Sequence, residues 1–214
     1  MGKKYNFQIQ REIIIQWAGD HNCGFYIVPE LLHEKSVVYF FGVGEDISFD
    51  EDLIANFHCE VFAYDPTPSS KNFIQKKKLS PLHFFDVGIS DFDGTMDFYF
   101  PENNEYVSCS AYNRWGYDEQ KQKPIQVPVN KLSSLIAKNH HKQIDLLKMD
   151  IEGSEYAVLD DLIKENIPVT QICVEFHHRF KGIGLQKTKE AVKNLNKNGF
   201  DIVAISDSRE EYQG

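Results

Sequence analysis

The sequence predicts an α/β protein with a doubly wound, mostly parallel sheet and an added antiparallel strand pair, and three observations support this. Runs rich in β-branched and aromatic residues alternate with polar or amphipathic segments of helix length. These runs stop abruptly at glycine, proline or acidic residues. After the third run the pattern switches to open alternation of apolar and polar residues, the mark of strands with one wet face.

Residues 1–35 read as an N-terminal cap, because IIIQWAG (13–19) and FYIVPELL (25–32) are apolar enough to pack on a sheet but too short for a separate domain. SVVYFF (36–41) is a buried strand ending in the turn Gly42-Val43-Gly44. EVFAYD (60–65) repeats the pattern, and Pro66 and Pro68 force the chain out of that strand just after Asp65. A polar surface helix over 69–78 and a third strand, HFFDVGIS (83–90), come next. TMDFYF (95–100) and IQVPVN (125–130) form the antiparallel pair. The insert at 101–124 is polar and turn-rich yet carries Tyr106, Tyr112, Trp115 and Tyr117, which suits a loop closing over an acceptor, with Ser108 and Ser110 as hydrogen-bond donors. The βα rhythm resumes with IDLLKMD (144–150), a helix from Glu152-Gly153 to about residue 165, QICVEF (171–176), a helix over 185–198 and FDIVAI (200–205). The whole chain, 1–214, fits one domain with its sheet core in 36–206, a size that buries roughly 70% of its unfolded surface.

Charge and cysteine usage exclude several function classes. There are 23 Lys and Arg against 32 Asp and Glu, a net charge of −9 that repels a phosphate backbone and disfavours a nucleic-acid partner. The basic run at 76–78 reads as a solvated helix end. Cys23, Cys59, Cys109 and Cys173 are far apart with no Cys-x-x-Cys, so they read as free thiols in a reducing, cytoplasmic compartment rather than zinc ligands. No segment approaches the length of a spanning helix, and Asn6 stands where N-myristoylation requires Ser or Thr, so no membrane partner is expected.

In a doubly wound sheet the ligand lies beyond the carboxyl ends of the strands, so the chemistry is sought at the strand tips. Gly42 and Gly44 remove side chains where a backbone approaches a cofactor, and Asp65 stands 21 residues past Gly44, where a carboxylate reaches both ribose hydroxyls. Glu45 and Asp46 would repel a pyrophosphate, which favours a cationic nucleoside over a dinucleotide. S-adenosylmethionine, a sulfonium with an ammonium and a ribose but no phosphate, meets that requirement.

FGVGEDISFD (41–50), FAYDPTP (62–68), VGISDFDGTMDFY (87–99), IDLLKMDIEGSEYAVL (144–159) and ICVEFHHRF (172–180) together resemble the FkbM-type methyltransferases over about 24–206. The D-x-E-G-x-E block formed by Asp150, Glu152, Gly153 and Glu155 is the most specific part. The resemblance implies the class I methyltransferase fold, S-adenosylmethionine as cofactor, and methylation of an oxygen on a sugar or other small molecule. It places the cofactor on Gly42, Val43, Gly44, Glu45, Asp46, Asp65, Pro66, Val87, Gly88, Ile89, Ser90 and Asp150. Two departures stand out. Tyr39-Phe40-Phe41 occupies the place where many relatives have an acidic residue before the glycine turn, a role that Glu45 and Asp46 are expected to assume, and the last strand of the fold is unaccounted for.

Removing a hydroxyl proton needs a carboxylate or histidine, and Asp150, Glu175 and His177 are the catalytic candidates. Alternation sends Glu175 and His177 to one face and His178 to the other. Glu152 and Glu155, in the first turn of the following helix, are expected at the acceptor, although the helix dipole favours carboxylates there regardless of function. Asp150, Glu175 and His177 also have the donor chemistry of a metal site, but without fixed spacing no metal is predicted. Asp91-Phe92-Asp93-Gly94-Thr95 matches a phosphatase motif in letters only: it does not follow directly from an apolar strand opening the domain, and a polar hairpin turn explains it. The competing functional class is a domain that binds cofactor or partners without turnover.

Overall fold

A computed structural model describes residues 7–77, 80–99 and 124–206. The cap is a small hairpin, β1 (Gln16–Ala18) and β2 (Phe25–Ile27), held by antiparallel pairing and an edge-on Trp17–Tyr26 contact. The core elements are β3 (Val37–Phe41), α1 (Ser48–Phe57), β4 (Glu60–Tyr64), α2 (Pro68–Lys76) and β5 (Leu82–Phe85). A second, small sheet uses β6 (Gly88–Ile89), β7 (Gly94–Phe98) and β8 (Ile125–Asn130). The chain returns to the main sheet through α3 (Leu132–Lys138), β9 (Ile144–Met149), α4 (Glu155–Lys164), β10 (Val169–Val174) and α5 (Leu185–Lys197).

The main sheet is wholly parallel in the order β10-β9-β3-β4-β5. The chain winds outward from β3 to β5 and then outward again from β9 to β10, so the order reverses between β3 and β9 and opens a crevice at their carboxyl ends. Strands buried on both faces lose the apolar/polar alternation of a half-wet strand, and all six residues of β9 are buried. One face packs Tyr39, Phe41, Phe62 and Tyr64 under α3, α4 and α5; the other packs Val38, Phe40, Val61 and Leu146 against α1 and the cap. The expected doubly wound, Rossmann-like sheet with its antiparallel pair, β7 and β8, is present.

Some elements differ from expectation. HFFDVGIS is not one strand: it breaks at Asp86-Val87, and Gly88–Ile89 leaves the main sheet to pair parallel with β8. FDIVAI forms no strand. A strand exists through its ladder, and here Ile202 is held by Gln10, whose N–H donates to the Ile202 oxygen (2.7 Å) and whose Oε1 accepts from the Ile202 N–H (2.9 Å). The fourth helix begins at Glu155 rather than at Glu152-Gly153, because Glu152 (φ 54°) and Gly153 (φ 107°) adopt left-handed backbone that no helix continues. Helices α1 and α3 were not expected. Asp93 of the supposed phosphatase motif serves α3, accepting from the Lys131 N–H (2.9 Å), Ser134 Oγ (2.6 Å) and Asn130 Nδ2 (2.9 Å).

Candidate active site

The strand tips are pinned one residue beyond each strand. Gly42 N–H donates to Tyr64 O (3.1 Å), Asp65 N–H to Phe85 O (3.2 Å), Asp150 N–H to Phe41 O (3.1 Å) and Glu175 N–H to Met149 O (3.0 Å). Around the reversal point lies a cleft of about 110 Å³ lined by Phe41, Gly42, Gly44, Asp65, Pro66, Gly88, Ile89, Asp150 and Glu152, among others. A larger cavity of about 300 Å³ lies on the outside of α5 against Phe7, remote from every strand tip. Small-molecule sites are typically ~300 Å³ or more, so a nucleoside cofactor requires the cleft walls to part.

The turn after β3 is built for close approach. A Cβ at Gly42 (φ 87°) would overlap the Asp150 carbonyl oxygen, and Gly44 (φ 56°) has open space where a side chain would project. Asp65, only 5% exposed, holds this turn: Oδ2 accepts from Val43 N–H (2.9 Å) and Gly44 N–H (3.1 Å), and Oδ1 from Thr67 N–H (2.8 Å) and Thr67 Oγ1 (2.6 Å). A carboxylate offers about four lone-pair directions, and four donors fill them.

Other cofactor candidates are placed differently. Val43 is buried in the core, Ser90 is buried and its N–H donates to Asn130 O (3.0 Å), and Val87 packs against the core. Glu45 is exposed, and Asp46 starts α1 by accepting from Ser48 N–H (2.8 Å) and Ser48 Oγ (2.6 Å). None of these five is among the residues lining the cleft. Ser108, Ser110 and Trp115 lie outside the described residues.

Beside the Asp150 end of the cleft, ligand atoms of Asp150, Glu175 and His177 converge within 4.8 Å of one another, and of the three only Asp150 lines the cleft itself. His177 Nε2 stands 3.6 Å from both Asp150 Oδ1 and Glu152 Oε2, while its Nδ1 meets Glu155 Oε1 at 2.8 Å. Burial of the imidazole disfavours its charge, but Glu155, Glu152 and Asp150 overcome this and raise its pKa to about 9. The three carboxylates thus favour the protonated, donor form of the ring over the neutral form that a base requires. Glu155 also needs correcting. It is fully buried and its Oε1 accepts from Ile151 N–H (3.1 Å) and Gly153 N–H (3.2 Å), so it sits behind His177 and cannot touch an acceptor.

Lys148 had not been singled out, although a lone lysine inside an apolar strand is a visible signal. It is buried in β9, donates from Nζ to Gly42 O (3.2 Å), lies 3.9 Å from Asp150 Oδ2 and sits over the Phe40 ring at 4.1 Å. Thr67 was also missed. It caps α2 by accepting from Ser70 N–H, and Ser or Thr before a proline at the first helical position is the sequence mark of such a cap.

A parallel sheet reversing between β3 and β9, a glycine turn at the reversal and a carboxylate set across the cleft together define a Rossmann-like methyltransferase fold. The chain belongs to the FkbM methyltransferase family: the Methyltransferase FkbM domain matches residues 37–202. It is similar to the probable methyltransferase-like protein 24 of Homo sapiens, 24% identical over 178 residues, covering 82% of this chain and 42% of that protein. The Rattus norvegicus protein of the same name is 25% identical over 170 residues, covering 78% of this chain and 40% of its own length. The chain thus spans less than half the length of the curated relatives it matches. No solved structure matches it. Among the described residues no helix is long and apolar enough to cross a membrane.

Proposed function

We propose that the chain transfers a methyl group from S-adenosylmethionine to a hydroxyl oxygen of a sugar or other small molecule. The observation that supports this reading is the continuity of the cleft, whose lining runs from Gly42 and Gly44 to Asp150 and Glu152, so that one cavity offers room for a cofactor beside carboxylates able to accept a proton. When bound, the cofactor supplies an electrophilic methyl on a sulfonium. Asp65 acts by holding the glycine turn, and Pro66, Gly88 and Ile89 flank the nucleoside. A ribose contact to Asp65 itself would have to displace one of the donors the carboxylate already holds. Asp150 or Glu175 takes the acceptor's proton, while protonated His177 fixes the position of the Asp150 carboxylate and Glu152 contacts the acceptor.

Two measurements test this. Calorimetry with S-adenosylmethionine and its demethylated product should show binding, and absence of binding at millimolar ligand to folded protein overturns the reading. Incubation with methyl-labelled cofactor and a panel of glycans and small hydroxylated molecules should label a product. Binding with no labelling would assign the chain to the catalytically silent class.

A further inference from the structure

We infer that Asp150, Glu175 and His177 form a divalent-cation site of the magnesium or manganese class at the acceptor end of the cleft, an inference that rests on the methyltransferase reading above. Asp150 and Glu175 stand one residue beyond the neighbouring strands β9 and β10, with backbones anchored by the ladder bonds already described, and His177 follows two residues later, so that ligand atoms of all three lie within 4.8 Å of one another. The 3.6 Å separations of His177 Nε2 from Asp150 Oδ1 and Glu152 Oε2 exceed the usual N–H···O range of about 2.7–3.2 Å. They suit two ligands of one cation. With metal–ligand distances of about 2.0–2.2 Å, ligand atoms stand about 3 Å apart when adjacent and just over 4 Å apart when opposite.

The imidazole is also presented in the orientation a metal needs. Glu155 engages Nδ1 and is itself immobilised by two backbone N–H groups, which leaves Nε2 directed at Asp150 and Glu152, and a cation bound there takes the place of the Nε2 proton, which is released to water. A carboxylate behind a histidine in this way fixes the tautomer and raises the basicity of the ligating nitrogen. Glu155 is fully buried and its Oε2 has no partner among the described residues. Asp150, Glu152, Glu155 and Glu175 stand around one imidazole, with Lys148 3.9 Å from Asp150. The donors are carboxylate oxygens and one imidazole with no thiol, which selects a hard ion that fills its remaining positions with water or hydroxyls. Those positions face the cleft through Asp150 and Glu152, where an acceptor hydroxyl would enter.

The test uses the full chain stripped with chelator, titrated with manganese and followed by electron paramagnetic resonance, with calorimetry of S-adenosylmethionine run in parallel without metal. One manganese per chain is expected, with affinity falling at least tenfold in both Asp150→Asn and Glu175→Gln, and falling 10- to 100-fold in Glu155→Gln through loss of His177 orientation. Circular dichroism confirms that each variant is folded, and Glu175→Gln carries the test if Asp150→Asn is not. No manganese binding, or binding equal in wild type and in both ligand variants, overturns the site. Cofactor binding without manganese binding rejects the cation site alone, whereas manganese binding lost in the ligand variants without cofactor binding keeps the site and rejects the methyltransferase reading.

Discussion

Asp65 and Asp150 occupy equivalent places at the tips of β4 and β9, on either side of β3, yet their surroundings are opposite. Asp65 is enclosed by four donors within 3.1 Å and is 5% exposed, whereas the Asp150 side chain is 34% exposed and meets its charged neighbours only at 3.6 and 3.9 Å. A carboxylate whose lone pairs are filled by backbone N–H groups defines the shape of a turn. One held at arm's length among other charges is available to a proton, a hydroxyl or a cation. The cleft therefore has a rigid end and a reactive end, and substitution at the two tips should separate stability from catalysis.

The largest expected effect is at the reactive tip. Asp150→Asn should reduce methyl transfer by about 10²- to 10⁴-fold while the denaturation midpoint stays the same or rises, measured by labelled turnover beside a urea titration. Loss of stability equal to that in Asp65→Asn would erase the contrast. Glu155→Ala should follow, destabilising by about 3–5 kcal/mol in chemical denaturation because it leaves a buried charged imidazole and two backbone donors unpaired. Asp65→Asn should destabilise by about 1–3 kcal/mol and weaken cofactor in calorimetry, since an amide presents N–H groups to donors that need an acceptor.

The smallest effect lies outside the cleft and has the opposite sign. Asp50 is fully buried in α1 with neither oxygen partnered among the described residues, and desolvation raises its pKa well above the usual value despite nearby Lys148. A raised folded pKa contributes stability that is fully present below the unfolded value of about 3.9 and is lost progressively as pH rises through the folded value. Asp50→Asn should therefore raise stability by about 1–2 kcal/mol at pH 7 and flatten the decline of melting temperature with pH, read by thermal denaturation across that range. No gain at neutral pH would mean that Lys148 already compensates the charge.

The buried strands were the most legible part of the sequence. VVYFF, EVFAY and IDLLKM are apolar apart from Glu60, Asp145 and Lys148 because both faces are covered. The helix over 48–57 was hidden by Asp50, Glu51 and Asp52, which mask an apolar stripe of Phe49 and Leu53. FDIVAI misled because β propensity describes a strand's own residues and says nothing of whether a partner is present. At the site, the D-x-E-G-x-E letters located the right turn but not the direction of its side chains. Two left-handed residues in succession rotate Glu155 inward behind His177, and that rotation is a backbone property with no signature in composition.

The close approach of Gly42 to the Asp150 carbonyl tightens a link that the pairing of β3 with β9 already makes between the two strand tips. With only a hydrogen on the glycine Cα to separate the two chain segments, and Lys148 bridging Gly42 O toward the Asp150 carboxylate, the turn cannot move without carrying the reactive tip with it. On the proposed reading, a ligand that displaced the turn would change the affinity of the far end for its own ligand, and thermodynamic reciprocity would require the far end to change the turn's affinity by the same factor. Any side chain larger than hydrogen at residue 42 would press on the Asp150 carbonyl and so disturb both places at once.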